Sequence, residues 1–237
     1  GIDYELWNPA TDPELAANFN SDDISGKREC KRALLENFSL PIDLDRPILA
    51  NITRLTGQKG IDLMMQIAAR VVDSGAYIIS LGSGEKRYED FWQSLRDFAP
   101  RQVGIYRGYN EQLAHRIEAG ADMFMMPSKF EPCGLNQMYS LRYATVPIVR
   151  AVGGLDDTVE NFDPVTGNGH GFKFGPYRAD KFLERIYEAL YAYADPETWR
   201  KIQLNGMAID NSWENAARKY VDLYNHTRGM RATARGI

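Results

Sequence analysis

Short apolar segments alternate with amphipathic helical patterns along most of this 237-residue chain. Five of the apolar runs have the length of strands, and they lie at residues 47–53, 76–81, 103–106, 121–126 and 146–150. This alternation predicts a parallel sheet, because parallel neighbours are joined through crossovers, whose right-handedness places helices on both faces. The predicted fold class is therefore α/β, a Rossmann-like doubly wound parallel sheet, with residues 171–174 as a possible sixth strand and helices at the C-terminus.

The two ends of the chain do not follow this alternation. Residues 1–26 are rich in turn-forming residues and lack a helical or strand period, which indicates a connecting segment. From residue 179 onward three amphipathic helical patterns follow one another, and the last residues are basic and small. We therefore predict a connecting segment at 1–26, a nucleotide-sugar donor-binding domain at 27–228, and a disordered tail at 229–237.

Composition excludes several classes of partner. The net charge is −4 and no run of five basic residues occurs, which argues against a nucleic-acid partner held by general electrostatics. No stretch approaches the roughly 18 apolar residues of a membrane helix, so we expect no membrane partner. Cys30 and Cys133 belong to no CxxC or Cys/His cluster, which supports neither a disulfide framework nor a zinc site.

The loop after the fourth predicted strand has the chemistry of a binding site. Pro132 and Gly134 fit poorly inside a helix, so the next helix should begin near Leu135 with free backbone N–H groups. These groups favour an anion such as a phosphate. Glu131 beside them is suited to accepting hydrogen bonds from sugar hydroxyls, and the residues alone leave open an equal alternative, that it caps the helix.

A second candidate site follows the first predicted strand. Arg54 and Lys59 flank a glycine just before a helix, an arrangement suited to phosphate, although solvated charges are the simpler interpretation of two isolated cations. In the Rossmann strand order 3-2-1-4-5-6, strands one and four are neighbours at the ligand-binding crevice. This topology would bring the loop of Arg54 and Lys59 against the loop of Glu131.

Three other patterns favour structural roles. The GSG sequence after the second strand lacks the third glycine of a dinucleotide fingerprint and indicates a tight turn. His115 has no second ligand at helical spacing, so we expect a structural histidine. His170 lies in a Gly-rich loop, where we expect it to be solvated.

Several long motifs resemble one known family. The sequence FEPCGLNQMYSLRYATVPIVRAVGGLDDTV at residues 130–159 closely resembles the donor-binding motif of bacterial glycogen synthases and plant starch synthases, which are retaining glycosyltransferases of the two-domain GT-B type. RLTGQKG at 54–60, GIDYELWNPATD at 1–12 and SWENAARKYVDLY at 212–224 are similar to further segments of that family. The chain departs from the usual pattern at Asn136, Ala144 and Val152.

The resemblance implies a donor, an acceptor and a set of site residues. The donor would be ADP-glucose, the acceptor an α-1,4-glucan extended with retention, and neither a metal nor another cofactor is expected. The catalytic set would be Glu131, which holds glucose hydroxyls, with Arg54 and Lys59 on the diphosphate. Tyr109 would stack on the base, and the other donor-binding positions would be Cys133, Gly134, Leu135, Gly153 and Gly154.

The resemblance also implies that this sequence corresponds to the C-terminal half of such an enzyme. We then expect the acceptor to bind mainly through an N-terminal domain, the chain alone to transfer little, and the location to be bacterial cytoplasm or plastid stroma. Two alternatives stay open. The first is a non-catalytic nucleotide- or glucan-binding module, which would present an exposed aromatic platform. The second is another GT-B enzyme, such as a nucleotide-sugar epimerase, which should lack the combination of RLTxQKG with EPCGL.

Overall fold

The computed structural model describes the backbone of residues 1–234 and the side chains of residues 1–228. One six-stranded parallel sheet has the order β3-β2-β1-β4-β5-β6, which confirms the predicted Rossmann-like topology. Its strands are β1 (Ile48–Ile52), β2 (Tyr77–Gly82), β3 (Val103–Arg107), β4 (Met123–Met126), β5 (Val146–Arg150) and β6 (Phe172–Phe174). The sixth strand, suggested by GFKF, is therefore present.

Nine helices connect and follow these strands within residues 1–234. They are α1 (Gly26–Asn37), α2 (Ile61–Asp73), α3 (Lys86–Phe98), α4 (Glu111–Gly120), α5 (Asn136–Arg142), α6 (Gly154–Thr158), α7 (Ala179–Tyr193), α8 (Pro196–Met207) and α9 (Trp213–Ala234), with a 3-10 helix at Gly57–Lys59. Side-chain caps explain where two of these helices begin. At the start of α4, the Asn110 side chain accepts a hydrogen bond from Leu113 N at 2.9 Å, and at the start of α8, Asp195 is the cap ahead of Pro196.

Strand side chains supply the sheet's two apolar faces. Along β1, Leu49 packs into the layer containing α2, α3 and α7, whereas Ile48 and Ala50 pack with α1 and α4 on the opposite face. All three residues are fully buried, as expected for a parallel strand covered on both sides. The central strands therefore carry the core, and polar side chains are concentrated in the loops at the strand ends.

The last helix differs from the sequence-based prediction. It runs to Ala234, so residues 229–234, expected to belong to a disordered tail, are helical. This stretch is rich in alanine and arginine, which are strong helix formers, and its one glycine only weakens the helix. Residues 235–237 of the predicted tail lie outside the described residues. Within the described part, no helix is long and apolar enough to cross a membrane.

The N-terminal residues before α1 are irregular in backbone but are packed against the domain. The Trp7 ring stacks between the rings of His115 and Tyr139, with centroid separations of 3.8 Å on each side. Asp12 accepts hydrogen bonds from His115 Nδ1 and the Tyr143 hydroxyl, both at 2.6 Å. This segment is therefore part of the folded unit, and His115 has the structural role predicted for it.

Candidate functional site

The loops after β1 and β4 emerge side by side at the C-terminal edge of the sheet. Their strands are hydrogen-bonded neighbours, and the chain reverses its crossover direction between them, which is where open α/β sheets bind ligands. Lys129 N donates to Gln58 O at 2.8 Å, and Gln58 Nε2 donates to Phe130 O at 3.2 Å. The two loops selected from the sequence therefore form one joined surface.

A buried ion pair lies at the centre of this surface. Lys59 Nζ is 2.5 Å from Glu131 Oε2, and the Ser128 hydroxyl donates to the same oxygen at 3.0 Å. The side chains of Lys59 and Glu131 are only 19% and 9% exposed. A cavity of about 60 Å³ borders the pair and is also lined by Gly134 and Leu135. The sequence indicated that these residues share a crevice, but not that they contact each other directly.

Arg54 lies in the same loop as Lys59, between β1 and the 3-10 helix. It lies two residues beyond the end of β1, and it is exposed. Among residues 1–228, the hydrogen bonds and ion pairs of the structure include none to its guanidinium, whereas Lys59 is already paired. The two cations proposed for one diphosphate are therefore in different states: Arg54 is available to an incoming anion, and Lys59 is held by Glu131.

Glycines allow the loops to approach at backbone distance. Gly60 has φ +75°, and a Cβ there would lie 2.1 Å from Pro127 O. Gly154 N donates to Glu131 O at 3.1 Å, and a Cβ on Gly154 would lie 2.0 Å from Cys133 O. The Gly-Gly turn after β5 thus packs directly beneath the acid-bearing loop and supports it.

The start of α5 resolves one alternative left open by the sequence. The helix begins at Asn136 without a side-chain cap, and the Glu131 carboxylate is bound by Lys59 and Ser128 instead. Glu131 is therefore not a helix cap. Gly134 precedes the helix with φ +71°, a conformation that glycine adopts readily.

The remaining predicted site residues lie at the rim or beyond it. Cys133, Leu135 and Gly153 are exposed around the acid-bearing loop. Tyr109 is 81% exposed at the exit of β3, two strands away from β1, and it does not line the small cavity. The structure thus brings Lys59 and the glycines after β5 into contact with the loop of Glu131, whereas no hydrogen bond or ion pair joins Arg54 or Tyr109 to that loop within the described residues.

Two polar residues of the site were missed by sequence analysis. Ser128 fixes the Glu131 carboxylate, and Gln137 Nε2 donates to Cys133 O and Gly134 O at 3.2 Å each and to Thr158 Oγ1 at 3.0 Å. Gln137 is fully buried and so ties the acid-bearing loop to α6. The sequence contained two indications of these roles. Ser128 lies three residues before the glutamate, and Gln137 lies in the first turn of α5.

Other candidate features prove structural. A Cβ on Gly82 or Gly84 would lie 1.9 Å from Thr53 O or 2.3 Å from Leu55 O, so these glycines serve close packing. The GSG sequence does not form the predicted tight turn, since Gly82 ends β2 and Gly84 forms a parallel bridge with Leu55. The expectation that His170 is solvated is wrong: it is 6% exposed, and burial lowers its pKa. Within the described residues, no group of three or more His, Cys, Asp or Glu side chains is placed to hold a metal ion.

Comparison with known proteins identifies relatives of the whole chain. The family described as glycosyl transferases group 1 matches residues 35–205. The chain is 47% identical over 232 residues to a glycogen synthase of Koribacter versatilis, covering 98% of this chain and 48% of that protein. It is 48% identical over 224 residues to a glycogen synthase of Anaeromyxobacter dehalogenans, covering 94% and 47% respectively. The chain spans about half the length of the curated relatives it matches.

Solved structures agree with this assignment. The catalytic domain of starch synthase IV from Arabidopsis thaliana, bound to ADP and acarbose, superposes with a TM-score of 0.88 at 37% identity, over 95% of this chain and 48% of that one. A sucrose-phosphate synthase from Thermosynechococcus elongatus shares the fold alone, with a TM-score of 0.63 at 21% identity over 83% of this chain and 49% of the other. The resemblance based on the RLTGQKG and EPCGL motifs is thereby confirmed.

Proposed function

Because the chain belongs to the glycosyl transferases group 1 family, we propose that it is the donor-binding half of a glycogen or starch synthase. Such an enzyme transfers glucose from ADP-glucose to the non-reducing end of an α-1,4-glucan with retention. The observation that carries the proposal is the joining of Lys59 and Glu131 at the β1/β4 switch point, in a chain 47% identical to a glycogen synthase over nearly its full length.

The cations of the crevice would stabilise the leaving group. When the bond between the anomeric carbon and the phosphate oxygen breaks, negative charge develops on the departing ADP. Lys59 lies beside Glu131 and Arg54 is exposed in the same loop, so both cations would face that charge, and the backbone N–H groups of Gly134 and Leu135, which line the adjoining cavity, would add to them. Fixed positive groups in a site that excludes water stabilise such a transition state strongly. We therefore propose transfer without a metal ion or other cofactor.

The sugar and the base would be held by different loops. Glu131 would accept hydrogen bonds from glucose hydroxyls, since it lies beside the proposed phosphate position and cannot itself attract phosphate. Tyr109, exposed at the exit of β3, would stack on the adenine. Cys133 and the Gly153-Gly154 turn would border the sugar, because they surround the loop that carries Glu131.

The proposals for the glucan acceptor and the cellular location follow from the family to which the chain belongs. The chain spans about half the length of its curated relatives, so we propose that the glucan acceptor is bound mainly by the half outside this sequence and that these 237 residues alone transfer little glucose. We also propose bacterial cytoplasm or plastid stroma as the location. Partners of the chain itself would be ADP-glucose and ADP, with neither nucleic acid nor membrane.

Calorimetric titration of the chain with ADP-glucose, ADP, UDP-glucose and maltoheptaose tests the proposal. ADP and ADP-glucose should bind, and Arg54→Ala should weaken both by roughly tenfold or more, the loss expected for one charge-assisted hydrogen bond. Arg101→Ala is the matched control, since Arg101 is equally exposed but precedes β3 at the opposite edge of the sheet. Binding of maltoheptaose without any affinity for ADP would contradict the proposal and identify a glucan-binding module.

A further inference from the structure

We propose that Glu131 holds Lys59 in the free chain as an internal substitute for the donor phosphate, and that this makes the site discriminate against nucleoside diphosphates that carry no sugar. The inference rests on the proposed function and adds a specificity role to the site. Its starting point is the direct contact of 2.5 Å between Lys59 Nζ and Glu131 Oε2. A cation that is to bind phosphate is here already neutralised by the carboxylate that is to bind the sugar.

This contact differs from an ordinary surface ion pair. Exposed pairs contribute little because solvent screens them and long side chains must be ordered. Lys59 and Glu131 are mostly buried, and two hydrogen bonds between Gln58 and the loop of Glu131, one of them backbone to backbone, join the loops that carry them. Ser128 also donates to the oxygen that Lys59 contacts, so the carboxylate is oriented towards the lysine. The surrounding contacts therefore fix the ion pair in the site without ligand.

The pair also borders the space proposed for the sugar. The cavity beside Lys59 and Glu131 has a volume of about 60 Å³. Movement of the Lys59 ammonium towards a bound diphosphate would release Glu131 to accept hydrogen bonds from sugar hydroxyls. Phosphate binding and the availability of the sugar-binding carboxylate are therefore coupled.

The coupling affects the two nucleotides differently. With ADP-glucose, Glu131 exchanges the ammonium group for glucose hydroxyls and remains hydrogen-bonded. With ADP, the same release of Lys59 leaves a carboxylate that is 9% exposed with Ser128 as its hydrogen-bond donor in the structure. A buried charge that loses its partner is costly. The site should consequently bind the product ADP less tightly than its cations would otherwise allow, which favours product release.

The test is calorimetric titration of the 237-residue chain with ADP and with ADP-glucose, comparing Glu131→Gln with the unaltered protein. The amide cannot hold the lysine by charge, so affinity for ADP should increase roughly tenfold, as expected when about 1.4 kcal/mol of competing interaction is removed. Affinity for ADP-glucose should not increase by the same factor, so the preference for the sugar-bearing ligand should fall.

Asp156→Asn is the matched control. Asp156 forms a 2.8 Å pair with Lys173, and its substitution changes the net charge equally and also removes the carboxylate partner of a lysine, but neither residue lines the cavity. The affinity of the Asp156→Asn variant for ADP should differ from that of the unaltered protein by less than about twofold. The double variant Lys59→Met/Glu131→Gln should not show the increased affinity for ADP, because that increase depends on the released Lys59 ammonium.

The outcomes separate this inference from the proposed function. If ADP binds the unaltered chain and Arg54→Ala abolishes that binding, the donor site stands; unchanged or weakened ADP affinity in Glu131→Gln would then overturn the specificity role alone. If neither the unaltered chain nor Glu131→Gln binds ADP or ADP-glucose, the proposed function is wrong, and this inference fails with it. Thermal unfolding of each variant establishes that the compared proteins are folded.

Discussion

Glu118 is a carboxyl group buried in the α4 layer with little to stabilise its charge. It is 0% exposed, and among the described residues the carboxyl oxygens accept a single hydrogen bond, from Ser140 Oγ at 2.8 Å. Burial raises its pKa to about 8, against the opposing effect of that hydrogen bond. Nearby, the buried Lys27 ammonium donates to backbone carbonyls of Ala119 and Tyr143, and burial lowers its pKa to about 8. At neutral pH the folded chain therefore favours a neutral Glu118.

Glu118→Gln should alter how stability depends on pH. Because the folded pKa of Glu118 is raised, the unfolded chain binds fewer protons, and the free energy of unfolding should fall by about 1.4 kcal/mol per pH unit between about pH 5 and pH 8. The glutamine variant should lack this contribution. Urea unfolding at several pH values checks the difference. Glu111→Gln, at an exposed position on the same helix, should keep the slope of the unaltered chain, and an unchanged slope in Glu118→Gln would contradict the assignment.

At the level of elements, the strands and their order could be predicted because each strand is a short apolar run followed by a helical period. The contacts between loops could not be, since they depend on how the elements pack. Lys59 and Glu131 are 72 residues apart, and nothing local indicates that they touch. The Gly153-Gly154 turn was predicted to border the sugar, but its contact with the backbone of Cys133 and Glu131 was not predicted. His170 was misassigned for the same reason, because its side chain is buried near Gly206 of α8 although Val165 in the same loop is exposed.

Gly154→Ala tests the support that the β5 exit gives to the acid-bearing loop. The added methyl group would meet Cys133 O at 2.0 Å, a backbone contact that cannot relax cheaply. We expect a loss of roughly 1 to 3 kcal/mol in the free energy of unfolding, as in overpacked cores, together with weaker binding of ADP-glucose. Gly175→Ala is the control, because a methyl group there has no neighbour within 4 Å. Equal stability of the two variants in urea unfolding would contradict this account.

Across the whole molecule, the residues before α1 join three separate parts of the chain. Ile2 pairs with Ser212 at the start of α9, and Trp7 lies between α4 and α5. The sequence predicted a connecting segment here because turn formers dominate and no period is present. That composition does not reveal how an irregular segment packs, which depends on a tryptophan and an aspartate finding partners more than 100 residues away.

Trp7→Ala should show how strongly this segment is held to the domain. The ring is 8% exposed and stacked on both faces, so its removal should lower the free energy of unfolding by about 3 to 5 kcal/mol, the range for buried aromatic truncations. Trp213→Ala removes the same side chain from an exposed position at the start of α9, where the ring is 59% exposed, and should cost about 1 kcal/mol or less. Urea unfolding compares the two variants, and hydrogen exchange locates the change.

Loss of protection in Trp7→Ala should be greatest in residues 1–25 and in α4, since that is where the stacked rings and Asp12 join the segment to the domain. Uniform loss across the sheet would mean that the segment and the domain unfold as one cooperative unit.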